Sequence, residues 1–161
     1  MNLKQGAVIA LISLMIIGAA GVATAGETRT ITDMVGRTVI VPAEIDSVLG
    51  TSPPTTEAVY MLDPDLLSGL NFAFNSTRYV PDEYRSLPDL GGQQMGKTLN
   101  YETFLSIHPD IILFGTTPYH DVVSTIDDLQ TKLNPVPVVG VIDTTNARDY
   151  GPGITFLGEL L

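Results

Sequence analysis

Ser47 to Thr51, Asp110 to Phe114 and Pro135 to Val141 each carry an almost unbroken apolar run with turn-forming residues on either side. Strands with one wet face alternate apolar and polar positions, whereas continuous runs belong to strands covered on both faces. The stretch from Tyr119 to Leu133 is different: Val122, Val123, Ile126, Leu129 and Leu133 recur at helical spacing and form one apolar stripe. Asn100 is placed to cap a short helix through Ile107 that His108-Pro109 ends, and Thr55 or Thr56 to cap another to about Leu62 that Asp63-Pro64 ends. Pro81 opens a short helical segment to Arg85, and Gly151-Pro152-Gly153 introduces a last helix from Ile154 to Leu161. Ahead of these, Arg29 to Asp33 and Arg37 to Val41 are β-prone runs separated by Met34-Val35-Gly36, which predicts an N-terminal hairpin ended by Pro42.

The order is a hairpin, then strand and helix about four times over. It predicts an α/β fold, a three-layer αβα unit on a mostly parallel sheet. Ligands in such sheets sit beyond the C-terminal ends of the strands. The loops at 51–55, 71–79, 92–98 and 115–120 are therefore where a binding site is expected.

The first 25 residues change the picture. Lys4 gives a short positive region, Ala7 to Ala20 is nearly all apolar, and Ala23-Thr24-Ala25 is a small-x-small cleavage signal ahead of Gly26. Residues 1–25 therefore read as a secretory leader, or as an anchor if left uncleaved, since the apolar stretch reaches the ~20 residues that a spanning helix needs. Either way the domain is expected outside the cytoplasm. The 161-residue chain has 44% hydrophobic and 16% charged residues, enough apolar material for a real core. Its net charge of −10 and the lack of any basic run oppose binding to nucleic acid or anionic lipid. An acidic surface suits docking on a basic partner. With no cysteine there are no disulfides, thiolate ligands, cysteine nucleophiles or lipid-modified cysteine.

No catalytic motif stands in its required context. Gly91-Gly92-Gln93-Gln94-Met95-Gly96 is followed by Lys97-Thr98 and so matches the letters of a phosphate loop, but it leads to Asn100 and a short helix instead of opening directly into a long one, and no dinucleotide fingerprint or Gly-x-Ser-x-Gly elbow occurs. Of the two histidines, His108 sits at a helix end ahead of proline, and His120 with Asp121 fits a solvated first turn better than a catalytic pair. Bare zinc or manganese takes three or four His, Asp or Glu ligands, which scarce histidines and scattered acids do not supply. No catalytic residue, metal site or cofactor is expected.

Two segments then carry a resemblance. Thr30-Ile31-Thr32-Asp33-Met34-Val35-Gly36-Arg37-Thr38-Val39-Ile40-Val41-Pro42 looks like the opening hairpin of the periplasmic (class III) binding proteins for iron–siderophore and cobalamin import. Asn100-Tyr101-Glu102 followed by His108-Pro109-Asp110-Ile111-Ile112-Leu113 resembles that family's N-x-E … K-P-D-hydrophobic segment, with His108 where the family has lysine. Leu49 to Ala58 is similar to its first strand and Ser-Pro…Glu turn. The resemblance covers residues 28 to 161. It implies two α/β lobes joined by a long helix, with ligand held in the cleft between them. Residues 26–150 then match the N-terminal lobe and residues 151–161 the start of the interlobe helix. Glu102 corresponds to the glutamate that salt-bridges to arginines of the permease, a role that suits an exposed carboxylate, although a first-turn acid also favours the helix dipole. Glu57 has the same two readings, with the dipole role favoured.

On this basis the chain is expected to be the extracytoplasmic substrate-binding component of an ABC transporter for a siderophore-type ferric chelate or a corrinoid. It is expected to act as a monomer, with the permease as partner and no enzymatic activity. Positional candidates for the cleft are Ser52, Arg78, Tyr79, Gln93, Gln94, Met95, Thr116, Thr117 and Tyr119. Arg78 offers charge to an anionic chelate, and the aromatic groups of 72–79 a stacking surface or, for Phe72 and Phe74, a loop anchor. The alternatives are a sensor or interaction domain of the same fold without a transport role, and an α/β enzyme.

Overall fold

The computed structural model describes residues 26–72, 79–91, 100–117, 122–142 and 147–161. Two strands, β1 (Thr28–Thr32) and β2 (Thr38–Pro42), pair antiparallel in the register Thr30↔Ile40. A second sheet has the order β3-β4-β5, formed by β3 (Val48–Gly50), β4 (Ile111–Thr116) and β5 (Val138–Ile142), all parallel. Between them lie α1 (Pro53–Leu62), a 3-10 turn (Pro64–Leu66), α2 (Asp82–Arg85), α3 (Tyr101–Ile107) and α4 (Val123–Leu133), and α5 (Ala147–Leu160) follows β5. Beyond β3, Leu67 bridges Val48 in parallel and Leu70 bridges Asp89. The short apolar segment from Leu66 to Leu70 thus adds only isolated bridges.

The continuous apolar strands behave as their composition requires. Successive side chains point to opposite faces, so each strand feeds two cores. Ile111 and Leu113 join Val48, Val139, Val141, Ala58, Val59, Leu157 and Leu160 on the α1/α5 face. Ile112 and Phe114 join Leu49, Val138, Phe104, Ile126, Leu129 and Leu133 on the α3/α4 face. This is the three-layer αβα arrangement on a parallel sheet, with the hairpin in front.

Several boundaries differ from the sequence reading. The cap of α1 is Ser52, not Thr55 or Thr56: the Ser52 side chain accepts from the Thr55 amide, and Pro53-Pro54 begin the first helical turn. Proline is tolerated there because its missing N–H would have no intrahelical partner. Pro81 is the cap of α2, not its first helical residue. β5 starts at Val138, three residues later than the apolar run. Gly151-Pro152-Gly153 does not introduce the last helix but lies within it. Gly153 is buried, and a Cβ on it would meet the Ile142 carbonyl oxygen at 2.7 Å. The glycine lets α5 cross the end of β5 at close range.

Among the described residues no strand lies beside the outer edge of β5, and the turn of the hairpin covers it. Gly140 N–H donates to Asp33 Oδ2 at 3.0 Å, Met34 N–H donates to the Gly140 carbonyl at 3.1 Å, and Arg37 Nη1 donates to the Val138 carbonyl at 3.0 Å. The Ile142 amide meets Met34 Sδ at 3.3 Å, and the Val138 amide donates to Gln130 Oε1 at 2.8 Å. Unpaired strand edges invite pairing with other chains. Here a carboxylate, a guanidinium and a thioether stand in for a fourth strand.

Candidate functional site

The C-terminal ends of β3 and β4, and the helix starts around them, form one rim. A helix that leads from one parallel strand to the next runs back against the strands, so its N-terminus lies at their C-terminal edge. α1, α3 and α4 all obey this geometry, which brings Ser52, Asn100, Glu102 and Thr116-Thr117 to the same edge.

Behind the rim is a buried polar network. Asn71, 1% exposed, donates through Nδ2 to the Gly50 carbonyl at 2.9 Å and to the Gly91 carbonyl at 2.8 Å, while its Oδ1 accepts from the Thr56 hydroxyl. Thr51 N–H donates to the Leu113 carbonyl at 2.9 Å, and Thr51 Oγ1 accepts from the Gly115 amide at 3.3 Å. Ser52 and Thr55 hydroxyls bond to each other at 2.6 Å. Buried polar groups must be paired to be tolerated, and here the pairing ties strand end, helix start and the bases of two loops into one body. Gly50 permits it, because a Cβ there would sit 2.7 Å from Thr56 Oγ1. Sequence reading missed Asn71 and Thr56 as organisers. An amide beside an apolar run, with a threonine one helix turn behind a glycine strand end, is a weak signal in one sequence.

The candidate residues distribute as follows. Ser52 is 2% exposed and its hydroxyl serves the α1 cap. Thr116 is 7% exposed, with its hydroxyl 3.4 Å from the Thr117 carbonyl. Thr117 is half-buried, and its Oγ1 is a buried atom without a hydrogen-bond partner among the described residues. Tyr79 is 81% exposed. Arg78, Gln93, Gln94, Met95 and Tyr119 lie outside the described residues, as do Phe74, His120 and Asp121. Phe72 is half-buried at the base of its loop.

Glu102 is exposed in the first turn of α3, whose cap is Asn100 accepting from the Thr103 amide at 3.2 Å. Among the described residues no cation pairs with it. His108 closes α3 in the left-handed conformation (φ 56°), exposed, with Nδ1 3.0 Å from the Ser106 carbonyl. Among the described residues no group of three or more His, Asp or Glu side chains could hold a metal ion.

The N-terminus of α1 faces the rim without free donors. Pro53 and Pro54 have no N–H, the Thr55 amide is held by Ser52 Oγ at 3.4 Å, and the Thr56 amide donates to the Ser52 carbonyl at 3.1 Å. Helix N-termini that bind small anions do so with free amides; this one offers none.

Solved structures decide the fold assignment. An ABC transporter solute-binding protein from Sulfurospirillum deleyianum superposes with a TM-score of 0.69 and 25% identity, over 82% of this chain and 42% of that one. This is the fold of the periplasmic solute-binding proteins of ABC transporters. A periplasmic solute-binding protein from Veillonella parvula matches with a TM-score of 0.68 and 18% identity, over 84% of this chain and 41% of its own. The molybdate periplasmic binding protein MolA from Haemophilus influenzae, bound to molybdate, matches with a TM-score of 0.52 and 21% identity, over 82% and 38% of the two chains. No family model and no curated protein matches the sequence. The chain thus spans about two-fifths of the length of the solute-binding proteins it resembles.

Proposed function

We propose that this chain is the N-terminal lobe of the extracytoplasmic substrate-binding component of an ABC importer, that it takes a metal chelate at the rim of its parallel sheet, and that it docks on the permease through Glu102. The observation that carries the reading is the superposition on solute-binding proteins over more than four-fifths of the chain. The exposed carboxylate of Glu102, unpaired among the described residues, supports docking. It stands on the rim, where an arginine of a partner can meet both of its oxygens. Among the described residues no helix is long and apolar enough to cross a membrane. The leader-like residues 1–25 support an extracytoplasmic location.

The ligand we propose is a siderophore-type ferric chelate or a corrinoid, not a bare oxyanion. The donor-free start of α1 supports this, since a small oxyanion is held by free amides and a chelate presents its own carbon surface. Tyr79, Thr117 and the loop residues Arg78, Gln93, Gln94, Met95 and Tyr119 are the proposed contacts. Transfer through the membrane requires no bond to be made or broken in the ligand, so no catalytic residue enters the proposal.

Two experiments test the reading. Ferric hydroxamates, ferric catecholates and cobalamins are titrated against tyrosine fluorescence; quenching supports uptake, and silence across the panel favours a sensor or interaction domain. Glu102→Arg, placed in a two-lobed form, is expected to leave stability within ~0.5 kcal/mol, as for other exposed substitutions, and to abolish transport. Unchanged transport removes Glu102 from the docking surface.

A further inference from the structure

Three amides along the outer edge of β5 are each held by a different side chain. Val138 N–H donates to Gln130 Oε1 at 2.8 Å, Gly140 N–H to Asp33 Oδ2 at 3.0 Å, and Ile142 N–H to Met34 Sδ at 3.3 Å. An amide oxygen and a carboxylate are good acceptors, whereas a thioether is a weak one. The weakest of the three holds the C-terminal end of the strand. It is also the one whose chemistry an oxidant can change. The chain has no cysteine, so all of its side-chain sulfur is in five methionines.

Met34 is both reachable and engaged. It is half-buried, packs against the apolar core that includes Val139 and Val141, and donates its own N–H to the Gly140 carbonyl at 3.1 Å. A hydroperoxide that reaches Sδ gives up one oxygen. A sulfur lone pair attacks it, the O–O bond breaks, and the departing hydroxide or alkoxide takes the proton and leaves as water or alcohol. Sulfur loses two electrons and the peroxide gains them. An oxygen added on the side of Ile142 would stand between atoms only 3.3 Å apart, although an N–H···O contact by itself takes about 2.9 Å. An oxygen added on the other lone pair leaves the sulfur electron-poor and a poorer acceptor. It also puts a polar group on a side chain packed against the core. Either epimer breaks the contact.

We propose that Met34 is an oxidation site whose thioether is an oxidant-sensitive latch between the hairpin and β5: conversion to the sulfoxide releases the C-terminal end of the strand edge. The latch works whichever ligand the rim takes. Met61 supplies the contrast. It is 62% exposed near the end of α1, so oxidant meets it more readily, yet it stands on a different element from the edge. Sulfoxide at Met61 is expected to leave β5 as it is.

The test treats the full chain with hydrogen peroxide, follows oxygen addition at Met34 and Met61 by peptide mass spectrometry, and reads amide exchange by NMR. Met61 should oxidise first, without effect on β5. Exchange of the Ile142 amide should then accelerate roughly 5–10-fold in step with Met34, as for loss of one hydrogen bond of ordinary net strength. Met34→Leu keeps the apolar bulk and cannot be oxidised. With its fold checked by circular dichroism, its Ile142 exchange should start faster and ignore peroxide. Met61→Leu should respond to peroxide as the unaltered chain does. Three results each overturn the proposal: sulfoxide at Met34 with Ile142 exchange unchanged, Met34 still a thioether in excess peroxide, or acceleration that persists in Met34→Leu. The first two need no variant.

Discussion

The outer edge of β5 and the C-terminal end of β3 are two places where a strand runs out of partners, and they are resolved in opposite ways. At β5 the Asp33 carboxylate, its side chain fully buried, accepts four hydrogen bonds, from the amides of Val35, Arg37 and Gly140 and from Arg37 Nη1. Arg37 is then anchored on its other side by Asp127 at 2.9 Å. Asp33 and Arg37 turn inward and cover the edge, with Asp127 holding Arg37 from the surface. At β3 the neutral amide of Asn71 makes the bonds, and they hold the backbone at Gly50 and Gly91. One network seals an edge with charge; the other positions an opening without any. Keeping buried charge away from the strand ends has a physical reason, since unpaired buried charge is far costlier than an unpaired amide.

Breaking each network separates the two roles. Asp33→Ala leaves Arg37 and the Gly140 amide without their partner, and a loss of about 3–5 kcal/mol is expected in urea unfolding, as for one member of a buried ion pair. Gly140→Ala attacks the same edge by bulk: the new methyl would stand 2.8 Å from Val35 Cγ2 and 3.1 Å from Asp33 Oδ2. The expected cost is about 1–3 kcal/mol, with exchange of the Met34 and Gly140 amides accelerated ahead of the rest of β5. Asn71→Ala leaves the carbonyls of Gly50 and Gly91 unpaired, at a cost of about 1–3 kcal/mol. It should weaken chelate quenching by more than its stability loss explains, whereas Gly140→Ala should leave quenching intact. Equal effects of the two on quenching would mean that the rim is not organised by Asn71.

The smallest effect lies away from both networks. Tyr84 donates to Asp65 at 2.6 Å and packs edge-on against Tyr60 with ring centroids 5.5 Å apart. That hydrogen bond, with lesser contributions from the neighbouring carboxylates, pushes its pKa from 10.0 to about 12. The folded chain holds this proton more tightly than the unfolded one. The contribution to stability is therefore full below pH 10 and fades as pH rises toward 12. In an alkaline absorbance titration Tyr84→Phe should remove a tyrosine step near pH 12, and in unfolding it should show a small loss of stability at neutral pH that disappears as pH rises toward 12.

Much of this architecture is written locally. Two-sided burial of Ile111–Phe114 follows from an apolar run too continuous for a half-wet strand, and the start and stop of α3 follow from Asn100 and His108-Pro109, whose effects act within one turn. The exposure of Glu102 follows from its place in that first turn. Such features depend on neighbours a few residues away, which a sequence displays directly. The start of α1 was misread because Ser52, Thr55 and Thr56 are all good caps, and only packing selects among them. Gly151-Pro152-Gly153 was misread because glycine and proline carry the same letters whether they break a helix or let it pass close to a strand. What tertiary structure alone decided is the set of contacts made across long separations: Asp33 to Gly140, and Asn71 to Gly50 and Gly91. Those pairings depend on where the sheet brings distant segments together, and no local preference of Asp33 or Asn71 encodes them.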